Sequence, residues 1–387
     1  MAKEIYCDYA ATTPVDPRVI RAVARAMAIT GNPSSFNDAG RRAAAALQSA
    51  RMGIATFLNA RAGEIVLCSS GSEANALAIL GVMDAQHGEH IITTPIEHLS
   101  VLAPVRQRAA AGARVTYVPV DAQGFVNEKD VVGAITEKTK LVSVMYANNE
   151  IGTIQPIARI GRAIAQWRRA HHSAYPLFHV DACQATVYLD MDVQRLGVDL
   201  LTLNGAKAYG PHGAAALFVR RGVAVAPLVL GGSQEGGRRA GTEDVASAVG
   251  LATALSLVKK DGAVKVEKLR DHLISGLHMA IPAAHINGPI RAGRMPNNVN
   301  ISIPGTDSEN LLLELDKYGI RAGSGSACTA HSVEPSHVLK AIGTPKKLLD
   351  GALRFSLGRG ITTADIDTVL AKLPVIVDRV RARQARS

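Results

Sequence analysis

Seven short apolar runs punctuate the first 220 residues, at positions 65–68, 90–94, 114–118, 141–146, 177–180, 200–203 and 214–219. Several are continuous Val/Ile/Leu stretches without polar alternation, the pattern of strands buried on both faces, and therefore of a mostly parallel sheet. Helical stretches lie between them at 73–84, 101–111 and 157–171. The alternation predicts an α/β domain of roughly 250 residues with helices on both sides of the sheet. From about 254 the pattern changes. A long helix is expected through 277, then strands at 299–303 and 320–321, a Gly/Ser loop, and helices at 335–342 and 363–371. This reads as a smaller α+β domain, and two domains suit a chain of 387 residues.

Composition narrows the function classes. With 47% apolar and 20% charged residues, the chain can bury a sizeable core. No run of about 18 apolar residues is present to span a bilayer. The N-terminus lacks a charged-then-apolar signal pattern, so a cytoplasmic location without membrane attachment is expected. The +10 charge suits anionic ligands, but aromatics are only 4% and no groove-reading motif accompanies the charge, so nucleic-acid binding is not expected. Cys7, Cys68, Cys183 and Cys328 are scattered without a Cys-x-x-Cys pair, which argues against disulfides and zinc. His87, His90 and His98 have no ligand spacing with a nearby acid, so no metal is expected. The terminal arginines 379, 381, 383 and 386 read as a solvated helix end.

Four features could carry chemistry. Ser69-Ser70-Gly71-Ser72-Glu73 sits between a strand and a helix, with capping-box spacing from Ser70 to Glu73. Such a helix start either only caps or also receives a phosphate on its free N–H groups. His179-Val180-Asp181 ends an apolar strand. Asp181 there either caps a turn or faces a ligand at the strand's C-terminal end, where α/β folds bind them. Cys183, two residues on, reads as packing. Lys207 follows the apolar run that ends in Asn204-Gly205-Ala206. Desolvation would lower its pKa and free its lone pair for Schiff-base formation, unless it is a loop lysine reaching solvent. Cys328 lies in Gly323-Ser324-Gly325-Ser326-Ala327-Cys328, where small neighbours leave a thiol accessible as a nucleophile, unless it is an incidental surface cysteine. An amine, a buried carboxylate, a phosphate cradle and a separate thiol together suggest pyridoxal phosphate (PLP) with a sulfur-directed nucleophile.

The chain resembles cysteine desulfurases of the NifS/IscS type, fold-type I PLP enzymes of aminotransferase class V. The resemblance is carried in order by Asp8-Tyr9-Ala10-Ala11-Thr12-Thr13-Pro14, Gly31-Asn32-Pro33-Ser34-Ser35, Ile96-Glu97-His98, Asn148-Asn149-Glu150-Ile151-Gly152, His179-Val180-Asp181-Ala182-Cys183-Gln184, Ala240-Gly241-Thr242, Gly325-Ser326-Ala327-Cys328-Thr329 and Arg354-Phe355-Ser356-Leu357-Gly358-Arg359. It implies a large PLP-binding domain over 13–255, built on a mostly parallel seven-stranded sheet. A small domain is implied over 1–12 and 256–387, carrying the cysteine loop. By position, Lys207 is the Schiff-base lysine, Asp181 pairs with the pyridinium nitrogen, and His98 stacks on the ring and shuttles protons. Asn149 and Gln184 contact the ring-oxygen side. Gly71, Ser72 and Asn204 bind phosphate, with Thr242 from the neighbouring subunit of a homodimer. Arg354, helped by Asn32 and Asn149, holds the carboxylate of L-cysteine, and Cys328 takes the sulfur as a persulfide for an acceptor such as an iron–sulfur scaffold or a tRNA- or cofactor-thiolation protein.

The chain departs from the family pattern in places. Asn204 and Ala206 stand where Ser and His are usual before the lysine, and Asn37 where a histidine often follows the Asn-Pro motif. The extended C-terminal segment of the housekeeping enzymes is expected to be absent after Ser387. Selenocysteine lyase, or a sulfur carrier that has lost turnover, are the alternative readings.

Overall fold

Each of the seven apolar runs becomes a strand of one sheet in a computed structural model, which describes residues 4–259, 262–325 and 335–384. Across the sheet the strands are Ile65–Cys68, Ala215–Val219, Leu200–Asn204, Leu177–Asp181, Thr139–Ser143, His90–Thr93 and Arg114–Tyr117. Six run one way, and Ala215–Val219 runs against both of its neighbours. The lack of polar alternation has a direct cause. Ile91, Leu141, Leu200 and Leu217 pack into the core on one face, while their successors Ile92, Val142, Leu201 and Phe218 pack into the core on the other. Successive side chains alternate between faces, and both faces are covered, so both must be apolar. Each such side chain contributes about 1.5–3 kcal/mol by leaving water. Helices Gly71–Ala85, Leu99–Ala110 and Ile157–Ala170 correspond to the expected stretches.

The remainder forms a separate antiparallel sheet, Ala352–Ser356, Asn298–Ser302 and His285–Ile286, and a short parallel pair, Ile5–Tyr6 with Ile320–Arg321. Three expectations are corrected here. The helix expected from 254 through 277 is two helices, Val245–Ser256 and Gly262–Ala280. The first packs against the N-terminal helices Pro17–Met27 and Asp38–Leu58, and the second against the C-terminal helix. Their buried stripes face different neighbours, which a single straight helix could not satisfy. The C-terminal helix Thr363–Gln384 also runs well past residue 371. Its arginines are not simply solvated. Arg379 and Arg383 both pair with the buried Glu314 (2.9 and 2.8 Å), and Arg381 donates to the carbonyl of Pro304. These contacts dock the helix; Arg386 lies outside the described residues. Among the described residues, no helix is long and apolar enough to cross a membrane.

Candidate active site

Strand ends place the chemistry. Asp181 is the last residue of the central strand Leu177–Asp181 and is 6% exposed. The adjacent strand pairs Thr202 with it and ends at Asn204. There the Asn204 side chain accepts the Ala206 N–H (3.0 Å), closing a tight turn over Gly205–Lys207. The turn carries Lys207 back over the strand ends, where its Nζ donates to the carbonyl of Ala11. Ala11 is held in place because Thr13 N–H and Thr13 Oγ both donate to the carbonyl of Ala206.

Lys207 and Asp181 line one cavity of ≈ 260 Å³. Seven more of the residues expected from the sequence line it with them: Gly71 and Ser72, His98, Asn149, Gln184, Asn204 and Arg354. Cys183, read as packing, also lines it, and its N–H donates to Asp181 Oδ1 (3.0 Å). Burial and the adjacent Asp181 carboxylate push the Cys183 thiol well above its ordinary range, so it stays protonated. Gln184 donates to the carbonyl of Ala10 (3.0 Å).

The helix start at Gly71 forms one wall. Ser70 is its N-cap and accepts the Glu73 N–H (3.1 Å). The Glu73 carboxylate reaches Ser69 N–H (2.7 Å) and Arg239 (2.9 Å). The first turn leaves N–H groups without intrahelical acceptors, at the positive end of the helix dipole. A side chain at position 71 would meet Cys183 Sγ at 2.9 Å and Asn204 Nδ2 at 3.3 Å, so only glycine keeps this cradle open.

Arg354, on the strand Ala352–Ser356, forms another wall and its side chain is only 2% exposed. It pairs with Asp8 (2.8 Å) and donates to the carbonyls of Asn149 (3.0 Å) and Gly325. Asp8 was not among the expected site residues, although it opens the Asp-Tyr-Ala-Ala-Thr-Thr-Pro segment. Also unexpected were Asn75 and Ser100. Asn75 donates from Nδ2 to Asp181 Oδ2 and to Ser100 Oγ, both at 2.8 Å. The available signal was a lone amide inside the apolar stretch from Ala74 to Val82. Two expected residues among those described are not brought to this cavity. Asn32 is exposed and caps its own turn by accepting the Ser34 N–H (2.9 Å). Thr242 lines a different cavity beside Ser69 and Arg239. Cys328 lies outside the described residues.

Glu97, next to His98 in sequence, is fully buried, and burial pushes its carboxyl up to about 8. Its Oε1 accepts from Thr94 Oγ and Met145 N–H, each at 2.8 Å. Between its ordinary value and about 8 the folded protein binds the extra proton, so stability falls as pH rises through that window. Glu97→Gln, which keeps the neutral form at every pH, is expected to flatten this slope. Thermal midpoints measured from pH 5 to pH 9 check it; parallel curves for wild type and variant would contradict it.

Comparison with known proteins fits this geometry. The aminotransferase class-V family pattern matches residues 5–369. A cysteine desulfurase IscS of Dictyoglomus turgidum is 41% identical over 98% of this chain and 96% of its own. The chain belongs to the class-V aminotransferase family, in its cysteine desulfurase group. Among solved structures, a NifS-like protein matches with a TM-score of 0.89 and 33% identity, over 97% of this chain and all of that one. A protein named SspA, solved in complex with cysteine, matches with a TM-score of 0.79 and 31% identity, over 92% and 99%. Members of the family generally depend on PLP. The residues present fit that group: a primary amine, a buried carboxylate and a glycine-cradled helix start converge on one cavity. Among the described residues no cluster of metal-ligating side chains occurs.

Proposed function

We propose that this chain is a PLP-dependent cysteine desulfurase that converts L-cysteine to L-alanine and holds the released sulfur on Cys328 as a persulfide. The observation that carries the reading is the meeting of Lys207, Asp181, His98 and Arg354 in one cavity beside the Gly71 helix start. When bound, PLP would supply an aldehyde for amines and a ring that accepts electrons. Gly71, Ser72 and Asn204 would hold its phosphate, Asp181 its ring nitrogen, and Asn149 and Gln184 its ring-oxygen side. Thr242 would complete the phosphate site across a homodimer, which its separation from this chain's own cavity supports. The chain would divide into 13–255 and 1–12 with 256–387, a division the separate sheets support.

Each residue then has a task. Lys207 Nζ removes the substrate α-proton. Asp181, paired with Asn75, is a fixed negative charge that keeps a proton on the group facing it. Arg354 presents a planar fork to the substrate carboxylate. Cys328 attacks the substrate sulfur: the S–S bond forms as the Cβ–S bond breaks, and the substrate Cβ ends with an added proton as alanine. The other thiols support this assignment. Cys7 and Cys68 are buried, Cys183 lines the cavity, and burial pushes all three thiols up, Cys7 to about 12. None of them offers a thiolate at neutral pH. Sulfur would leave Cys328 for a protein acceptor, such as an iron–sulfur scaffold.

Incubation of the PLP-loaded protein with L-cysteine should give equimolar alanine and, with a reductant, sulfide; no alanine would overturn the reading. Arg354→Lys is expected to raise KM for L-cysteine by about 10- to 100-fold, because a point ammonium replaces a fork. Steady-state kinetics check this, and an unchanged KM would place the carboxylate elsewhere.

A further inference from the structure

His98 is the N-cap of the helix Leu99–Ala110, and its ring is held from one side by two groups of the same residue. The Ser100 N–H points at His98 Nδ1 (3.1 Å), and Ser100 Oγ lies 2.8 Å from the same nitrogen. A backbone N–H can only donate, so Nδ1 is an acceptor and carries no proton. The hydroxyl has its own constraint. Asn75 faces the Asp181 carboxylate at 2.8 Å, and a carboxylate can only accept, so Asn75 turns its NH₂ that way. The second proton of that NH₂ goes to Ser100 Oγ (2.8 Å). Because Nδ1 has no proton to give, the 2.8 Å contact requires Ser100 Oγ to donate its own proton to it, alongside the Ser100 N–H. Asn75 therefore donates both ways along Asp181–Asn75–Ser100–His98, and from Asn75 to His98 each group donates to the next.

We propose that Asn75 and Ser100 are positioning residues that hold His98 as the neutral tautomer with its proton on Nε2. This deepens the proposed function and rests on it for its relevance to turnover. The tautomer makes His98 a fixed donor through Nε2 to what binds in the cavity. Taking up a second proton would require Nδ1 to lose the Ser100 N–H and the hydroxyl to turn away. The charges around the ring agree. Burial lowers the His98 pKa most; Asp181 raises it, and Lys207, His337 and Arg354 lower it.

The test is ¹⁵N-histidine NMR of the PLP-loaded protein, with the His98 signals assigned by their loss in His98→Gln. At pH 7 the expected spectrum shows a bare Nδ1 and a protonated Nε2. In Ser100→Ala the ratio of protonated to neutral His98 at fixed pH should rise about fivefold, the effect of one lost hydrogen bond. Ser100→Thr, which keeps the hydroxyl, should restore the wild-type ratio. A proton on Nδ1 in the wild type, or an unchanged ratio in Ser100→Ala, would overturn the proposal. The readout does not depend on turnover, so it separates failure of this proposal from failure of the desulfurase reading.

Discussion

Lys207→Ala is expected to lower alanine formation from L-cysteine by about 10⁴-fold or more. The side chain carries two duties that other residues of the cavity cannot take over. Its Nζ is the primary amine of the site and, by position, also the base for the substrate α-proton. Loss of a positioned base alone costs about 10²–10⁴ in rate, and loss of the covalent anchor adds to it. Cys183 is held protonated, and His98 Nδ1 is engaged by Ser100. The turn itself should survive, because it is closed by Asn204 and by Thr13, not by the lysine. The measurement is single-turnover alanine formation on a variant whose melting curve matches the wild type. Activity within about tenfold of wild type would remove Lys207 from the mechanism.

Cys328→Ala should leave PLP binding intact and reduce sulfur transfer to a protein acceptor to background. The two effects separate because none of the nine expected residues that line the cavity is a thiol. Substitution by Cys7, Cys68 or Cys183 is opposed because their thiols are held protonated. A thiol pushed up to about 12, as that of Cys7 is, has about 3,000-fold less thiolate at neutral pH than one near 8.5. Mass spectrometry after one turnover should find the +32 Da mass of an added sulfur, about the size of one S atom, on the Cys328 peptide of the wild type and on no peptide of the variant. A persulfide on Cys183 instead would show that the cavity itself offers the acceptor.

The seven strands were legible because each is buried on both faces, so hydrophobicity alone marks it. Strand ends were legible to within three residues for the same reason, and with them Asp181 and the turn to Lys207. The helix Asp38–Leu58 was not marked, since its buried positions include Ala43, Ala50 and Ala55, and alanine gives little hydrophobic contrast. The break between Val245–Ser256 and Gly262–Ala280 depends on which neighbours each helix meets, which no local pattern records. The site divides in the same way. Residues at strand ends and at the glycine-rich helix start announced themselves. Asn75, Ser100 and Asp8 did not, because their meaning lies in partners up to 346 positions away in the chain. Asn32 was singled out by motif, yet it sits exposed on its own turn.

The most direct test of the account is borohydride reduction of the PLP-loaded protein, followed by peptide mapping. Reduction should fix the pyridoxyl group to a single peptide through the Nζ of Lys207, with loss of the visible absorbance. A pyridoxyl group on any other lysine, or none, would contradict it.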